Sequence, residues 1–210
     1  MSDTIRLATA EDAARSAEIY APAVTDSAIS FELDAPDAAE VRRRIGYVGV
    51  NTPWLVCERD GRVLGYAYAG QFRARAAYLW TVEVSAYVAP EAQGGGVARA
   101  MYTSLFAALT VQGYRNLIAG IALPNPASIR LHDAMGFVAA GVNHNVGYKL
   151  GAWRDVAWFE RPLAAFEPNP VPPRPLSELR DTSAFRTALD SGVPLIRLAG
   201  LDDDATGWRA

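Results

Sequence analysis

Three short stretches of the chain combine residue types that could do chemistry. In "YLWTVEVSAYV" (78–88) one carboxylate, Glu83, stands in the middle of an apolar run. Strand alternation sends Trp80, Val82, Val84 and Val88 to one side, and Thr81, Glu83, Ser85 and Tyr87 to the other. A carboxylate placed there is costly without a partner or a purpose. Burial would raise its pKa toward neutrality, which suits a group accepting a proton from an ammonium. From the strand alone, a buried Glu paired with an arginine is an equal reading. Beyond that strand, "EAQGGGVARAMYTSLFAAL" (91–109) sets Gly94, Gly95 and Gly96 before a long apolar-striped run. Loop amides followed by a helix N-terminus can bind an anion. A P-loop would carry Lys-Ser or Lys-Thr where Val97-Ala98 stand. A dinucleotide fingerprint belongs in the first βα turn, whereas this loop follows at least three strands. Both readings are weakened, and a clamp for the coenzyme A diphosphate is a third, beside the plain reading of a helix start that needs flexible residues. Finally, "NPASIRLHDAMGF" (125–137) holds His132, neutral near pH 7 and able to exchange protons. A helix histidine satisfied by packing and one hydrogen bond is the competing reading.

These stretches need a scaffold, and the pattern supplies one. "TIRLAT" reads as a strand, "AEDAARSAEIYAPAV" as a helix with an acidic first turn, and "DAPDAAEVRRRIGYV" as a second helix capped near Asp34 or Asp37. "WLVCER", the turn Asp60-Gly61 and "RVLGYAYAGQF" give a β-hairpin. "AYLWTVEVSAYV" is the longest strand pattern. A helix from about Val97 to Val111 follows the glycines, then the strand "RNLIAGIAL". The next helix, "NPASIRLHDAM", has Asn125 as N-cap and Pro126 at its first position. Two strands, "GFVAAGVNHNVGYK" and "RDVAWFER", end the pattern. The order βααβββαβαββ mixes hairpins with crossovers, so the expected class is α/β (α+β), a mixed and mostly antiparallel sheet flanked by helices on both faces.

The texture changes after Arg161. We divide the chain into a domain over 1–166 and a Pro-rich linker and tail over 167–210. "PNPVPPRP" (168–175) has five prolines in eight positions and reads as a linker. "LSELRDTSAFRTALDSG" (176–192) could form one helix, with Leu179, Phe185, Ala188 and Leu189 on one side. Its apolar stripe permits it to cap the domain or to embrace a partner subunit.

Composition narrows the classes. The chain is 50% hydrophobic and 20% charged with a net charge of −3, and its scattered basic residues recommend no nucleic-acid partner. No apolar run reaches membrane-spanning length, and "MSDTIRLATAEDAA" has no signal-peptide pattern. The lone Cys57 excludes an internal disulfide and reads as a buried inert thiol. With two histidines, it argues against a metal site. The chain reads as cytoplasmic.

The motifs together carry a resemblance. "QGGGVA" (93–98) has the form Q-x-x-G-x-A directly after a long strand, and "NPASIRLHDAMGF" is an Asn-led helix ending in Gly-Phe. Both resemble markers of the GNAT superfamily of N-acetyltransferases, over about residues 4–162. "SFEL" (30–33), "FRARAAYLWTVEVSAYV" (72–88), "LHDAMGF" (131–137) and "VGYKLGAWRDVAWFE" (146–160) resemble the phosphinothricin N-acetyltransferase branch. That branch includes enzymes acting on methionine sulfoximine and methionine sulfone. The tail lies outside the resemblance.

The resemblance implies an acetyl-CoA-dependent transfer to the α-amine of a small amino-acid analogue, without a covalent enzyme intermediate or a metal. Glu83 becomes the expected general base, directly or through a water. His132 stands where the superfamily often has a Tyr thought to protonate the leaving thiolate, and could serve as acid or assist Glu83. Backbone groups of Ala86, Tyr87 and Val88 would pair with the pantetheine arm. Gly94, Gly95, Gly96, Val97, Ala98 and Arg99 would hold the diphosphate, and Asn125 would meet the pantetheine arm or the adenine-side phosphates. Arg73, Ala74 and Arg75 of "FRAR" would contact the acceptor, with Arg73 and Arg75, on one side of an extended segment, gripping its carboxylate; a pair of exposed loop arginines is the plain reading that composition alone favours. Phe31, Val84 and Ser85 would line the acceptor side, and the branch implies a homodimer. Acetylation of a peptide N-terminus or a polyamine, and acetyl-CoA binding without catalysis, stay open as alternatives.

Overall fold

The computed structural model describes residues 2–198; the last part of the expected tail, 199–210, lies outside the described residues. The strands are β1 (Asp3–Leu7), β2 (Trp54–Arg59), β3 (Arg62–Gln71), β4 (Thr81–Val88), β5 (Asn116–Ala122), β6 (Val138–Lys149) and β7 (Ala152–Pro162). The helices are α1 (Ala13–Thr25), α2 (Ala38–Val48), α3 (Val97–Gln112), α4 (Pro126–Ala134), and two short tail helices, α5 (Leu176–Leu179) and α6 (Ser183–Asp190). Up to β7 the order of strands and α-helices agrees with the sequence pattern. All seven strands form one sheet in the order β1-β2-β3-β4-β5-β7-β6, antiparallel except for β4 beside β5.

Alternation along the strands builds two cores. Leu55, Cys57, Leu64, Ala67, Val82 and Val84 face the buried stripe of α3, where Met101, Leu105 and Leu109 are fully enclosed. Each such side chain contributes about 1.5–3 kcal/mol by leaving water. Trp54, Val56, Val63 and Tyr66 face α1 and α2 on the opposite side. Both faces of the central strands are thus covered, which is why β2 and β3 read as apolar runs. Cys57 is fully buried, and burial pushes its thiol up to about 12, as an inert thiol requires. Asp37 caps α2, its carboxylate accepting from the Glu40 N–H at 2.8 Å.

Two expectations change. The strand pattern over 77–88 is not the longest strand: a turn of 3-10 helix occupies Ala76–Tyr78, and β4 has 8 residues against 12 in β6. Apolar residues at 77–80 mimic a strand, but Ala77, Tyr78 and Leu79 are exposed, and Trp80 donates from Nε1 to the Val171 carbonyl at 2.8 Å. The tail forms two helices instead of one. The Thr182 hydroxyl accepts from the Phe185 N–H at 3.3 Å, starting α6 afresh. Both tail helices dock on α3 through Leu176, Leu179, Phe185 and Ala188. The proline-rich stretch is tied down as well: the Arg174 N–H donates to the Gln112 carbonyl at 2.8 Å, and Gln112 Nε2 returns a bond to the Arg174 carbonyl at 3.0 Å.

Candidate functional site

Strands β4 and β5 pair only from Thr81↔Asn116 to Glu83↔Ile118. Beyond Glu83 both strands continue, but apart: β4 stays on β3 as far as Val88, and β5 stays on β7 as far as Ala122. The sheet therefore splits at Glu83, and one edge of residues 84–88 is left without a strand partner. A cavity of about 710 Å³ fills the opening, lined among others by Ser85, Ala86, Tyr87 and Val88 from β4, Gly120 and Ile121 from β5, and Asn125 and His132 from α4.

The glycine loop closes one side of this cavity. Gly94, Gly96, Val97, Ala98 and Arg99 line it, while Gly95 is buried behind. Gly96 is the N-cap of α3 at φ +78°, a left-handed conformation with no side-chain cap. The first-turn amides of α3 have no intrahelical acceptors and carry the positive end of the helix dipole. A split strand edge beside a helix start suits an extended arm that ends in a diphosphate. Acetyl-CoA fits that description, and the residues that would hold it, Ala86, Tyr87 and Val88 by their backbone and the glycine loop by its amides, line the cavity. The side chain of Val97 is buried, so only its backbone can take part. Asn125 lines the cavity while capping α4, its Oδ1 accepting from the Ser128 N–H at 3.1 Å.

Glu83 occupies the apex of the split, opposite Gly70 on β3. It shares a face with Ser85, one same-face step nearer the cavity, though it is not itself among the lining residues. Burial holds the Glu83 carboxyl above its ordinary range, and the charge of Arg73 draws it partway back. The paired-arginine reading is met only in part, since no hydrogen bond or ion pair joins Glu83 to an arginine among the described residues. Val84 turns the other way and is buried in the core, so its side chain cannot line an acceptor pocket on the Glu83 face.

His132 is buried at the cavity wall. Its Nδ1 lies 2.8 Å from the Ser128 carbonyl, which selects the tautomer that donates there and leaves Nε2 as an acceptor. Nε2 faces the Tyr102 hydroxyl at 3.4 Å. Burial lowers the imidazole pKa, against the opposing pull of the Ser128 carbonyl, so the ring stays neutral. Tyr102 also lines the cavity. Sequence reasoning missed it because Tyr102 and Phe106 sit four apart on the stripe of α3 and look like core aromatics. Only the split sheet reveals that one end of that stripe reaches the cavity. His132 makes no hydrogen bond to Glu83 among the described residues.

The acceptor-side expectations scatter more. The "FRAR" segment is not extended: the chain bends over 72–75 and enters the 3-10 turn, so strand alternation does not put Arg73 and Arg75 on one side. Arg73, Ala74 and Arg75 are all exposed. Arg73 stacks its guanidinium 4.5 Å above the Phe72 ring, and its charge is felt at the Glu83 carboxyl. Phe31 lies outside the cavity, 37% exposed, with its ring against Gly147 of β6. Its turn is firmly held. Lys149 Nζ donates to the Ser30 and Glu32 carbonyls at 2.7 Å each, and Glu32 accepts from Arg44 at 2.7 and 3.0 Å and from Tyr20 at 2.9 Å.

The chain matches the acetyltransferase (GNAT) domain over residues 5–158. It is 44% identical over 164 residues to a phosphinothricin N-acetyltransferase of Alcaligenes faecalis, covering 77% of this chain and 83% of that protein. A methionine sulfoximine and methionine sulfone acetyltransferase of Salmonella typhimurium is 36% identical over 166 residues, covering 76% and 94%. The crystal structure of a Sinorhizobium meliloti phosphinothricin acetyltransferase in complex with acetyl-CoA superposes with a TM-score of 0.72 at 38% identity, covering 77% of this chain and 89% of that one. The split sheet, the glycine-capped helix and these likenesses agree: the chain belongs to the GNAT family of acetyl-CoA-dependent acetyltransferases.

Proposed function

We propose that the protein acetylates the α-amine of a small amino-acid analogue of the phosphinothricin, methionine sulfoximine or methionine sulfone type. The observation that carries this reading is Glu83, a carboxylate with a raised pKa at the apex of the split sheet, within the field of the Arg73 charge. Acetyl-CoA supplies an activated thioester. Glu83 takes the proton of the acceptor ammonium, directly or through a water, and its raised pKa brings it closer to that task. Arg73, whose charge reaches Glu83, offers a guanidinium to the acceptor carboxylate, with Arg75 in the same bend and Ala74 between them. Ser85 and the Phe31 turn bound the acceptor side. The neutral His132 keeps an acceptor at Nε2 toward the Tyr102 hydroxyl, so this pair supports proton movement near the departing thiolate better than His132 acting alone as an acid.

A homodimer is part of the proposal. The β6–β7 hairpin leaves Val142, Val146, Tyr148 and Trp153 exposed, with Trp153 at 62%, which suits a second copy better than water. Dependence on acetyl-CoA supports residence in the cytoplasm. No helix among the described residues is long and apolar enough to cross a membrane.

The deciding experiment measures thiol release from acetyl-CoA with phosphinothricin, methionine sulfoximine, methionine sulfone, a polyamine and an alanine-initiated peptide. The proposal expects turnover with at least one amino-acid analogue and little with the others. Preference for the peptide or polyamine would overturn the substrate class, and no turnover with any amine would favour a non-catalytic acetyl-CoA-binding role.

A further inference from the structure

The tail lies beyond the matched acetyltransferase region, yet it reaches the cofactor loop from behind. After α6 the chain presses Gly192 against the carbonyl of Ala100, so closely that a Cβ would collide. The Gly192 N–H donates to Ser104 Oγ at 3.1 Å, and Ser104 Oγ donates to the Leu189 carbonyl at 2.6 Å. The next residues, 193–198, run along the back of the glycine loop. The Leu195 carbonyl lies against Gly96, the Leu198 side chain lies against Gly95, and the Arg197 N–H donates to the Gly95 carbonyl at 2.8 Å. Arg59, held by Asp3 at 2.6 and 2.8 Å, donates to the Leu198 carbonyl at 3.1 Å and pins the end of the segment. Val193, Leu195, Ile196 and Leu198 pack against the main core.

We infer that residues 193–198 are a brace that fixes the Gly95–Gly96 peptide in its cofactor-binding orientation, making the tail a positioning element of the acetyl-CoA site. A trans peptide holds its C=O and N–H in one plane, pointing opposite ways. With the Gly95 C=O turned toward Arg197, the Gly96 N–H points away from the tail, toward the side on which Gly96 lines the cavity. Three successive glycines would otherwise sample many orientations, because glycine populates positive and negative φ about equally. A loop that is competent only a fraction of the time binds more weakly by that fraction. Gly95 and Gly96 answer to the brace as well as to the ligand, since a Cβ on either would strike the tail, whereas a Cβ on Gly94 would meet nothing within 4 Å. The inference rests on the loop being the diphosphate site.

Calorimetric binding of coenzyme A to the full chain, without any acceptor, tests it. Arg197→Pro removes the N–H that holds Gly95, and Ile196 at φ −75° and ψ 123° already has the backbone a following proline needs. Arg197→Ala keeps the N–H and removes only the charge. A third protein ends at Gly192 and retains α5 and α6. Arg197→Pro and the shortened chain are expected to bind coenzyme A about tenfold more weakly, as for a loop competent a tenth of the time. Their acceptor KM, and their kcat at saturating acetyl-CoA, should stay within twofold of wild type. Arg197→Ala should bind as wild type does. Unchanged affinity in Arg197→Pro overturns the brace, and equal weakening in Arg197→Ala assigns the effect to charge and overturns it too. If the wild type itself fails to bind coenzyme A, the assignment of the loop is at fault and the brace falls with it.

Discussion

The two sides of the Glu83 apex are built differently. The proposed acetyl-CoA side is made of backbone: an unpaired strand edge, a left-handed glycine and the first turn of a long helix, each anchored in a core of fully buried side chains. The proposed acceptor side is made of side chains on a bend and a turn, with Arg73 and Arg75 exposed and Phe31 outside the cavity. Backbone sites inherit the rigidity of the elements that carry them, whereas side-chain sites need further contacts to become precise. The proposed donor site is therefore built into the fold, whereas the proposed acceptor side is open, next to the exposed β6–β7 hairpin.

Breaking the apex should give the largest effect. Glu83→Gln is expected to lower kcat by about 10²-fold or more, the scale of losing a general base, with coenzyme A affinity nearly unchanged. The same variant carries a stability signature. A carboxyl whose folded pKa lies above the unfolded value makes the protein less stable as pH rises through the folded pKa. Glu83→Gln should therefore melt higher than wild type at pH 7, and the gap should close as pH falls toward 4.5. Wild-type turnover across pH 6 to 9 would reject the base.

On the donor side, Gly96→Val should raise the acetyl-CoA KM by about tenfold or more while leaving the acceptor KM alone, since a side chain there combines positive φ with a collision against the Leu195 carbonyl. On the acceptor side, Arg73→Ala should raise the acceptor KM by about tenfold. That lies at the low end for a charge-assisted hydrogen bond, because Arg73 is exposed. The wild type should strongly prefer methionine sulfoximine to its methyl ester, and Arg73→Ala should lose that preference; equal acetylation of both by the wild type would end the carboxylate reading. His132→Ala is expected to slow turnover by less than Glu83→Gln, about tenfold at most, and an unaffected rate would return it to packing.

The sequence made the frame legible where pattern and punctuation agree. The hairpin over 54–71, with Asp60-Gly61 at its turn, and the Asn125 cap both stand where spacing put them. What stayed hidden depends on contacts between distant residues. Trp80 looks like a strand residue until Val171 supplies its partner. The tail stripe cannot announce the break at Thr182, because either arrangement buries Leu179 and Phe185. Nor does a run of three glycines say which of them face a ligand and which face the chain's own tail. Alternation placed Glu83 with Ser85 correctly, but the same rule, carried into the bend at 72–75, misplaced Arg73 and Arg75.

The unpaired edge of β4 also bears on how such a protein can change. Because that edge is offered by main-chain atoms, most substitutions at 84–88 leave its donors and acceptors in place, proline being the exception. The proposed main-chain contacts to an acyl donor are thus insulated from loss by substitution at those positions. The bend at 72–75 and the turn at 30–33, proposed for the acceptor side, have no such insulation: there a substitution alters the side chains proposed to meet an acceptor. New acceptor preferences should therefore arise through those two segments at little cost to acetyl-CoA binding, and they are where randomisation for a new amine would start.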